Sequence, residues 1–341
     1  MTATSETGWR ESRSSPLRDF FGSQTLYVAL ALVLIAVIMS FTASNFLSTG
    51  NLLNVGKNFS YIAIVAIGAT MVLIAGGLDL SVGSVMALTA IATVIFMNAL
   101  AGSPLATVPG LSLVVALGGG LLLAAFIGAM NGVLIAYVGL SPFVTTLGML
   151  SVCRGLAYVI TQGRGQAPGG SDADLFFLIT DGRVWGVPLP IIYLVALAIV
   201  VWFVLNHTRW GRHLFAIGGN ERAAALTGVN VKRMKLSLYV ISALLAGFAG
   251  ILLAGWLGSV PANLAFGYEL RIIAAAVIGG ANLAGGAGGP LGAIVGAALI
   301  EVIRNGLVLS SVNPYWQDTF VGVIIIFAIL VDKIRERRLR A

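Results

Sequence analysis

The sequence predicts an all-α integral membrane protein, a polytopic helical bundle of about ten transmembrane spans with Gly-broken helices. Three observations carry this reading. The 341-residue chain is 58% hydrophobic and only 10% charged, with a mean hydropathy of +0.97. Its apolar residues fall into separate runs of membrane-crossing length. Most of its 20 Lys and Arg sit in three clusters that flank those runs: Arg10, Arg13 and Arg18; the segment Arg209 to Lys235; and the tail Lys333 to Arg340. Basic clusters beside apolar spans mark the cytoplasmic side, so the net charge of +7 speaks for membrane topology and not for nucleic acid.

In chain order, the first 25 residues are polar and rich in Ser, Thr and Arg. The next run, 25–43, is longer than a signal-peptide core and is expected to be a retained first span. Further apolar runs lie at 59–76, 82–101, 111–137, 142–161, 190–206, 236–257, 271–281, 290–309 and 318–332. The run from Arg271 is short and interrupted by glycine. Two basic termini on one side require an even number of spans. The stretch Gly163 to Pro190 holds Asp172, Asp174 and Asp181 against Arg164 and Arg183, an acidic balance suited to the outer face. The expected organisation is a cytoplasmic tail over 1–24, one permeation domain over 25–332 with a cytoplasmic loop at 206–236, and a basic cytoplasmic tail over 333–341. Both termini then lie inside a multi-pass protein of the cell inner membrane.

Gly76-Gly-Leu-Asp-Leu-Ser-Val-Gly83 interrupts two apolar runs with a carboxylate, which lipid tolerates only when it caps a helix, pairs, or faces a pathway. The stretch echoes Gly279-Gly-Ala-Asn-Leu-Ala-Gly-Gly286, 203 residues later, as G-G-x-[DN]-L-[SA]-x-G. Repeated halves with matching helix breaks are a transporter device. Gly76, Gly77, Asp79, Ser81, Gly83 and Asn282 are therefore the candidates for a pathway or gate. Asp79 also reads as the N-cap of the span that begins near Ser81. Eight residues do not decide whether the halves are inverted or parallel. Gly288, Gly292 and Gly296, like Gly128 and Gly132, form small-residue ladders for close helix packing, within one chain or between two.

The charged segment His207 to Lys235 contains a short helical stretch, Glu221 to Thr227, with Asn220 as N-cap and Gly228 to end it. It reads either as a docking element for a soluble partner or as a basic loop against anionic lipid. Glu301 and Arg304, three apart on one helical face, are candidates for a buried ion pair. Arg154 has no partner within helical reach, and either snorkels or meets a group from another span. A single cysteine, Cys153, excludes an intrachain disulfide and reads as a small buried hydrophobe. No P-loop, metal-ligand cluster or Ser-His-Asp arrangement appears, so neither catalytic residues nor a metal or other cofactor is expected.

The first break, the Arg212 to Val231 segment, and Gly267-Tyr-Glu-Leu through the second break resemble the permease subunits of bacterial ribose-, xylose- and arabinose-type ABC importers. The resemblance extends to Phe46–Asn54, Asn305-Gly-Leu and the closing Tyr315-Trp-Gln to Asp332, covering nearly the whole chain after residue 20. It implies a homodimer of roughly ten-span subunits in the lipid bilayer. It also implies a cytoplasmic ABC ATPase subunit and a periplasmic or lipid-anchored solute-binding protein as partners, with no nucleic acid. By the same resemblance, Arg212, Asn220, Glu221, Ala224 and Gly228 belong to the element that couples to the ATPase. The implied activity is import of a monosaccharide or related small polar solute without bond-breaking chemistry. Two other readings stand beside it: an ABC permease for branched-chain amino acids or nucleosides, and an ion-coupled secondary carrier with Asp79 as coupling site.

Overall fold

A computed structural model describes residues 24–313 continuously, with the single positions 316, 319, 320, 322, 323 and 326 beyond them. The expected N-terminal tail, but for residue 24, and the expected basic C-terminal tail lie outside the described residues, as do ten of the fifteen positions of the span expected at 318–332.

The elements are α1 (Gln24–Thr42), α2 (Thr49–Ile74), α3 (Val82–Leu100), α4 (Leu111–Val133, continued by a π-helical turn Leu134–Val138), α5 (Pro142–Thr161) and α6 (Ala173–Asp181). A two-residue hairpin follows, β1 (Arg183–Val184) and β2 (Val187–Pro188), then α7 (Leu189–His207), α8 (Arg209–Gly219), α9 (Glu221–Leu226), α10 (Val231–Leu257), α11 (Tyr268–Ile278) and α12 (Pro290–Leu309). Among the described residues, eight helices are long and apolar enough to cross a membrane: α1, α2, α3, α4 with its π turn, α5, α7, α10 and α12. The run expected at 271–281 instead forms α11, whose 11 residues reach only about 16 Å, half of a hydrocarbon core of about 30 Å. It is a half-helix, entered through the loop 258–267 and left through the second glycine break.

Two spans begin earlier than hydropathy predicts. α2 starts at Thr49, ten residues ahead of the expected position, because Ser48 accepts from Asn51 N at 3.3 Å and the polar residues that follow find partners. Asn51 and Asn305 exchange amide hydrogen bonds of 2.9 and 2.8 Å, and Lys57 Nζ lies 3.0 Å from Asp181 Oδ1. Paired polar groups do not end a helix in a bilayer, since the helix already satisfies its own backbone. α10 likewise starts at Val231, where Asn230 Oδ1 accepts from Arg233 N at 3.0 Å. The 206–236 segment, expected to hold one short helix, holds two: Thr208 caps α8 by accepting from Gly211 N.

α2 and α3 form the centre. Every residue from Ser60 to Ile74 is buried, as is nearly all of α3 through Ile91. α4 and α10 pack against them, and Gly128 lets α4 approach the α10 backbone at Tyr239 and Val240 closely. The peripheral helices turn apolar side chains outward, among them Leu30 and Leu34 of α1, Val144 and Val152 of α5, and Ile199 and Val200 of α7. Such a girdle suits lipid and not water.

On the face opposite α8 and α9, Asp172 does for α4 what its own N-cap, Gly110, lacks the side chain to do. Its carboxylate accepts from Ser112 Oγ, from Gly110 N at 3.0 Å and from Leu113 N at 3.3 Å. These bonds, that from Ser112 first, hold the carboxyl below the usual Asp range. Depression of the folded value means the stabilisation is present above the unfolded pKa and is lost as pH falls through the folded one. Asp172→Asn is expected to flatten the acid limb of a thermal-stability profile measured below a pH of about 4. An unchanged acid limb would count against this staple.

Candidate functional site

The two glycine breaks meet on one side of the bundle. α2 ends in a Schellman motif: Gly77 N donates to Val72 O at 3.0 Å, and Gly76 N donates to Leu73 O at 2.8 Å, with Gly76 at φ +72°. α11 ends the same way, Ala281 N donating to Ala276 O at 2.9 Å and Gly280 N to Val277 O at 3.0 Å, with Gly280 at φ +104°. The left-handed position is one that glycine adopts without steric cost. The equivalence is thus Gly76 with Gly280, one residue later than the sequence echo pairs them. Gly286 N donates to Ile74 O at 2.9 Å, and Leu73 packs with Ala276 and Ala281, so the ends of α2 and α11 lie side by side.

Both breaks continue with an Asx turn, a side-chain oxygen accepting from the N–H two residues on. Asp79 Oδ1 accepts from Ser81 N at 3.0 Å, and Asn282 Oδ1 from Ala284 N at 2.9 Å. Their surroundings differ sharply. Asn282 is exposed, whereas Asp79 is 3% exposed and fully engaged. Ser81 Oγ donates to Asp79 Oδ1 at 2.6 Å and Ser242 Oγ donates to Oδ2 at 3.0 Å, while Asn131 Nδ2 donates to Ser81 Oγ at 3.1 Å. The N-cap residue of α3 is Ser81, without a side-chain capping bond of its own. Asp79 therefore fastens the irregular segment before the helix through Ser81, a correction to its reading as the cap.

Leu78 O is held by Tyr239 Oη at 3.3 Å, and Gly77 leaves room for that ring: a Cβ there would lie 2.8 Å from Tyr239 Oη. Gly76, Gly77, Tyr239, Asn220, Glu221 and Ala284 line a cavity of about 330 Å³ between the breaks and α9. The structure thus gathers Gly76, Gly77, Asn220 and Glu221 around one space, with Asp79 and Ser81 buried behind it. Gly83 lies apart, against the half-helix, where a Cβ would run into Glu269 Oε2 and Ala265 O.

That neighbourhood holds two residues that sequence reasoning did not place. Glu269, in the first turn of α11, buries Oε2 with no hydrogen-bond partner among the described residues. Arg154 Nη1 donates to Leu264 O at 2.8 Å and Ala262 O at 3.3 Å, pinning the 258–267 loop from α5, with its guanidinium 5.7 Å from the Phe266 ring centre. Its partners are carbonyls of an irregular loop, so no pattern of charged residues signals them. Tyr-Glu-Leu at Tyr268 was the available pointer to Glu269.

On the α8–α9 side, Asn220 Oδ1 accepts from Ala223 N at 3.0 Å, Ala224 is buried, and Gly228 takes φ +87° after the helix. Glu221 meets Lys235 Nζ at 2.7 Å, which ties α9 to the base of α10. Arg212 is exposed on α8 and Leu226 is 90% exposed on α9. Far from both breaks, Arg304 forks onto Glu301 with two bonds of 2.9 Å, and Glu301 is 1% exposed. A bidentate pair of this kind lowers the cost of either charge in the membrane.

A bundle of membrane-length helices, broken by paired glycine motifs beside an exposed helical hook, is the architecture of a permease. The family described as branched-chain amino acid transport system / permease component matches residues 51–329, and the chain belongs to that family. The chain is 38% identical over 310 residues to the ribose import permease protein RbsC of Escherichia coli (strain K12), covering 90% of this chain and 93% of that one. Against the galactose/methyl galactoside import permease protein MglC of the same strain it is 36% identical over 322 residues, 92% of this chain and 94% of the relative. The Bacillus subtilis (strain 168) ribose import permease RbsC is 35% identical over 310 residues, covering 91% and 93%.

Proposed function

We propose that the chain is the membrane-spanning permease subunit of an ABC importer that carries a monosaccharide or a related small polar solute into the cell. The observation that supports it best is the near full-length similarity to import permeases for ribose and for galactose and methyl galactoside, on both sides of each break. Two copies would enclose the path, a cytoplasmic ATPase would supply the energy, and a solute-binding protein outside would deliver the cargo. The breaks, with Gly76, Gly77, Asp79, Ser81, Gly83 and Asn282, form the gate in this reading. A hydroxyl-rich solute suits a path rich in carbonyls and amides, which both accept and donate hydrogen bonds.

α9 is the dock for the ATPase. Its Leu226 offers an apolar anchor to a partner groove, and Asn220, Glu221 and Gly228 fix the helix on the bundle. The α8–α9 face is the cytoplasmic one, and both termini lie with it.

Reconstitution with the ATPase and binding protein tests the activity. The chain alone is expected to hydrolyse no ATP, and the complex to accumulate a sugar in vesicles. Within the complex, Glu221→Ala or loss of Ala223 to Thr227 should cut uptake several-fold while the membrane helices stay folded, about 1 kcal/mol or more of coupling being removed. Uptake by the isolated chain, driven by a sodium or proton gradient, would replace this proposal with the carrier. Accumulation of leucine but no sugar would replace the cargo. Topology has its own check: a cysteine at Asp174 should react with an impermeant reagent from outside and one at Asn230 should not.

A further inference from the structure

α8 ends against both breaks at a single glycine. A Cβ on Gly218 would run into Ile74 O, the last carbonyl of α2, and into Gly286 N and Cα of the second break. Those two groups are themselves joined, Gly286 N donating to Ile74 O at 2.9 Å. From the other side, a Cβ on Gly285 would lie 2.9 Å from Gly218 O. Three backbones therefore converge with no side chain between them. Behind this point, Leu214 and Ile217 bury the inner face of α8. Ahead of it, Asn220 starts α9 at once, and Glu221 is clamped to Lys235.

We infer that Gly218 is a rigid positioning joint, passing any displacement of α9 to the first and second breaks together. The inference rests on the reading of α9 as the ATPase dock. Side chains yield by changing rotamers, whereas backbone pressed on backbone has no such soft coordinate, so motion at one side appears at the other. A methyl group at Gly218 would wedge the contact open. Gly218 lies inside a helix, where alanine is intrinsically favoured over glycine by up to about 1 kcal/mol, so propensity alone predicts a gain. Gly219 supplies the control: it is the adjacent residue, and a Cβ there meets nothing within 4 Å among the described residues.

The test uses the complete transporter in vesicles, measuring solute taken up and ATP hydrolysed in the same sample. Gly219→Ala should match the wild type. Gly218→Ala should assemble and hydrolyse ATP, yet move about tenfold fewer solute molecules per ATP. An unchanged ratio in Gly218→Ala, or an equal fall in Gly219→Ala, overturns the inference. If Gly218→Ala does not assemble, spin labels at the exposed positions Ala216→Cys and Leu283→Cys take its place. Their spacing should stay the same with and without ATP, and a spacing that changes with nucleotide overturns the joint. If the wild-type complex shows no ATP-driven uptake, the proposed function has failed first, which is a separate and visible result.

Discussion

Replacing Asp79 by alanine is expected to destabilise the folded chain by about 3 kcal/mol, while Asp79→Asn stays within about 1 kcal/mol of the wild type. The carboxylate serves three donors: Ser81 N, Ser81 Oγ and Ser242 Oγ. Alanine leaves all of them buried without an acceptor, in a setting that water does not reach. Each orphaned donor costs about 1–3 kcal/mol, and relief from burying the carboxylate itself offsets part of the sum. Asparagine keeps one oxygen for both Ser81 donors and can turn its amide N–H toward the Ser242 hydroxyl, which accepts as well as donates. Unfolding midpoints in detergent decide the point, and an alanine variant as stable as the asparagine one would sink it. Uptake then separates fold from gate. If the carboxylate belongs to the gate, Asp79→Asn folds but imports poorly; normal import would leave Asp79 as a fastening of the break alone.

The second large effect is expected at Gly296. A Cβ there would run into Ala275 O and lie 3.1 Å from Gly279 N, across the contact between α12 and the half-helix. Gly292 meets Gly279 in the same way one turn earlier. Because the obstacles are main-chain atoms, no rotamer change relieves them, and the helices must separate. Gly296→Ala should lose about 1–3 kcal/mol, and Gly296→Leu should leave little folded protein. The half-helix is also held by α2, where Leu73 packs on Ala276, and by Gln24 and Thr25 of α1, which donate to the Val277, Ile278 and Gly279 carbonyls at 3.2 to 3.4 Å. Gly118 of α4, where a Cβ meets nothing within 4 Å among the described residues, is the matched control, and Gly118→Leu should express and fold as the wild type does. Equal yields of the two leucine variants would refute the packing role of the ladder.

Much was legible before any coordinates because it is local. Apolar runs locate spans, since a bilayer demands them. Asn220 followed by Glu221 announces a helix start, and Gly228 its end, because caps act within one turn. The double glycines foretold helix breaks for the same reason, and order and spacing of motifs identified the permease family. The boundary at Thr49 escaped because polar residues there are paired by distant partners, Asn305 and Asp181. That at Val231 escaped because the first turns after the Asn230 cap carry Lys232, Arg233 and Lys235, which break the apolar run.

What only the tertiary structure decided is which face of each helix meets protein and which meets lipid. Both environments are apolar, so a span can be hydrophobic all round and carry little trace of its orientation. That is why sequence left open whether the ladders Gly128 to Gly132 and Gly288 to Gly296 join helices of one chain or of two. Here they pack within it, against Leu236 and Tyr239 of α10 and against Thr70 and Ala275. It is also why the breaks, 203 residues apart, gave no sign of meeting through Ile74 and Gly286. Arg154 found carbonyls, Asp79 found Ser242, and Gly218 found both breaks by helix packing alone. Composition, periodicity and capping act along the chain and specify its class and its spans. The contacts that build the site act across it, and depend on rotations that an apolar surface does not encode.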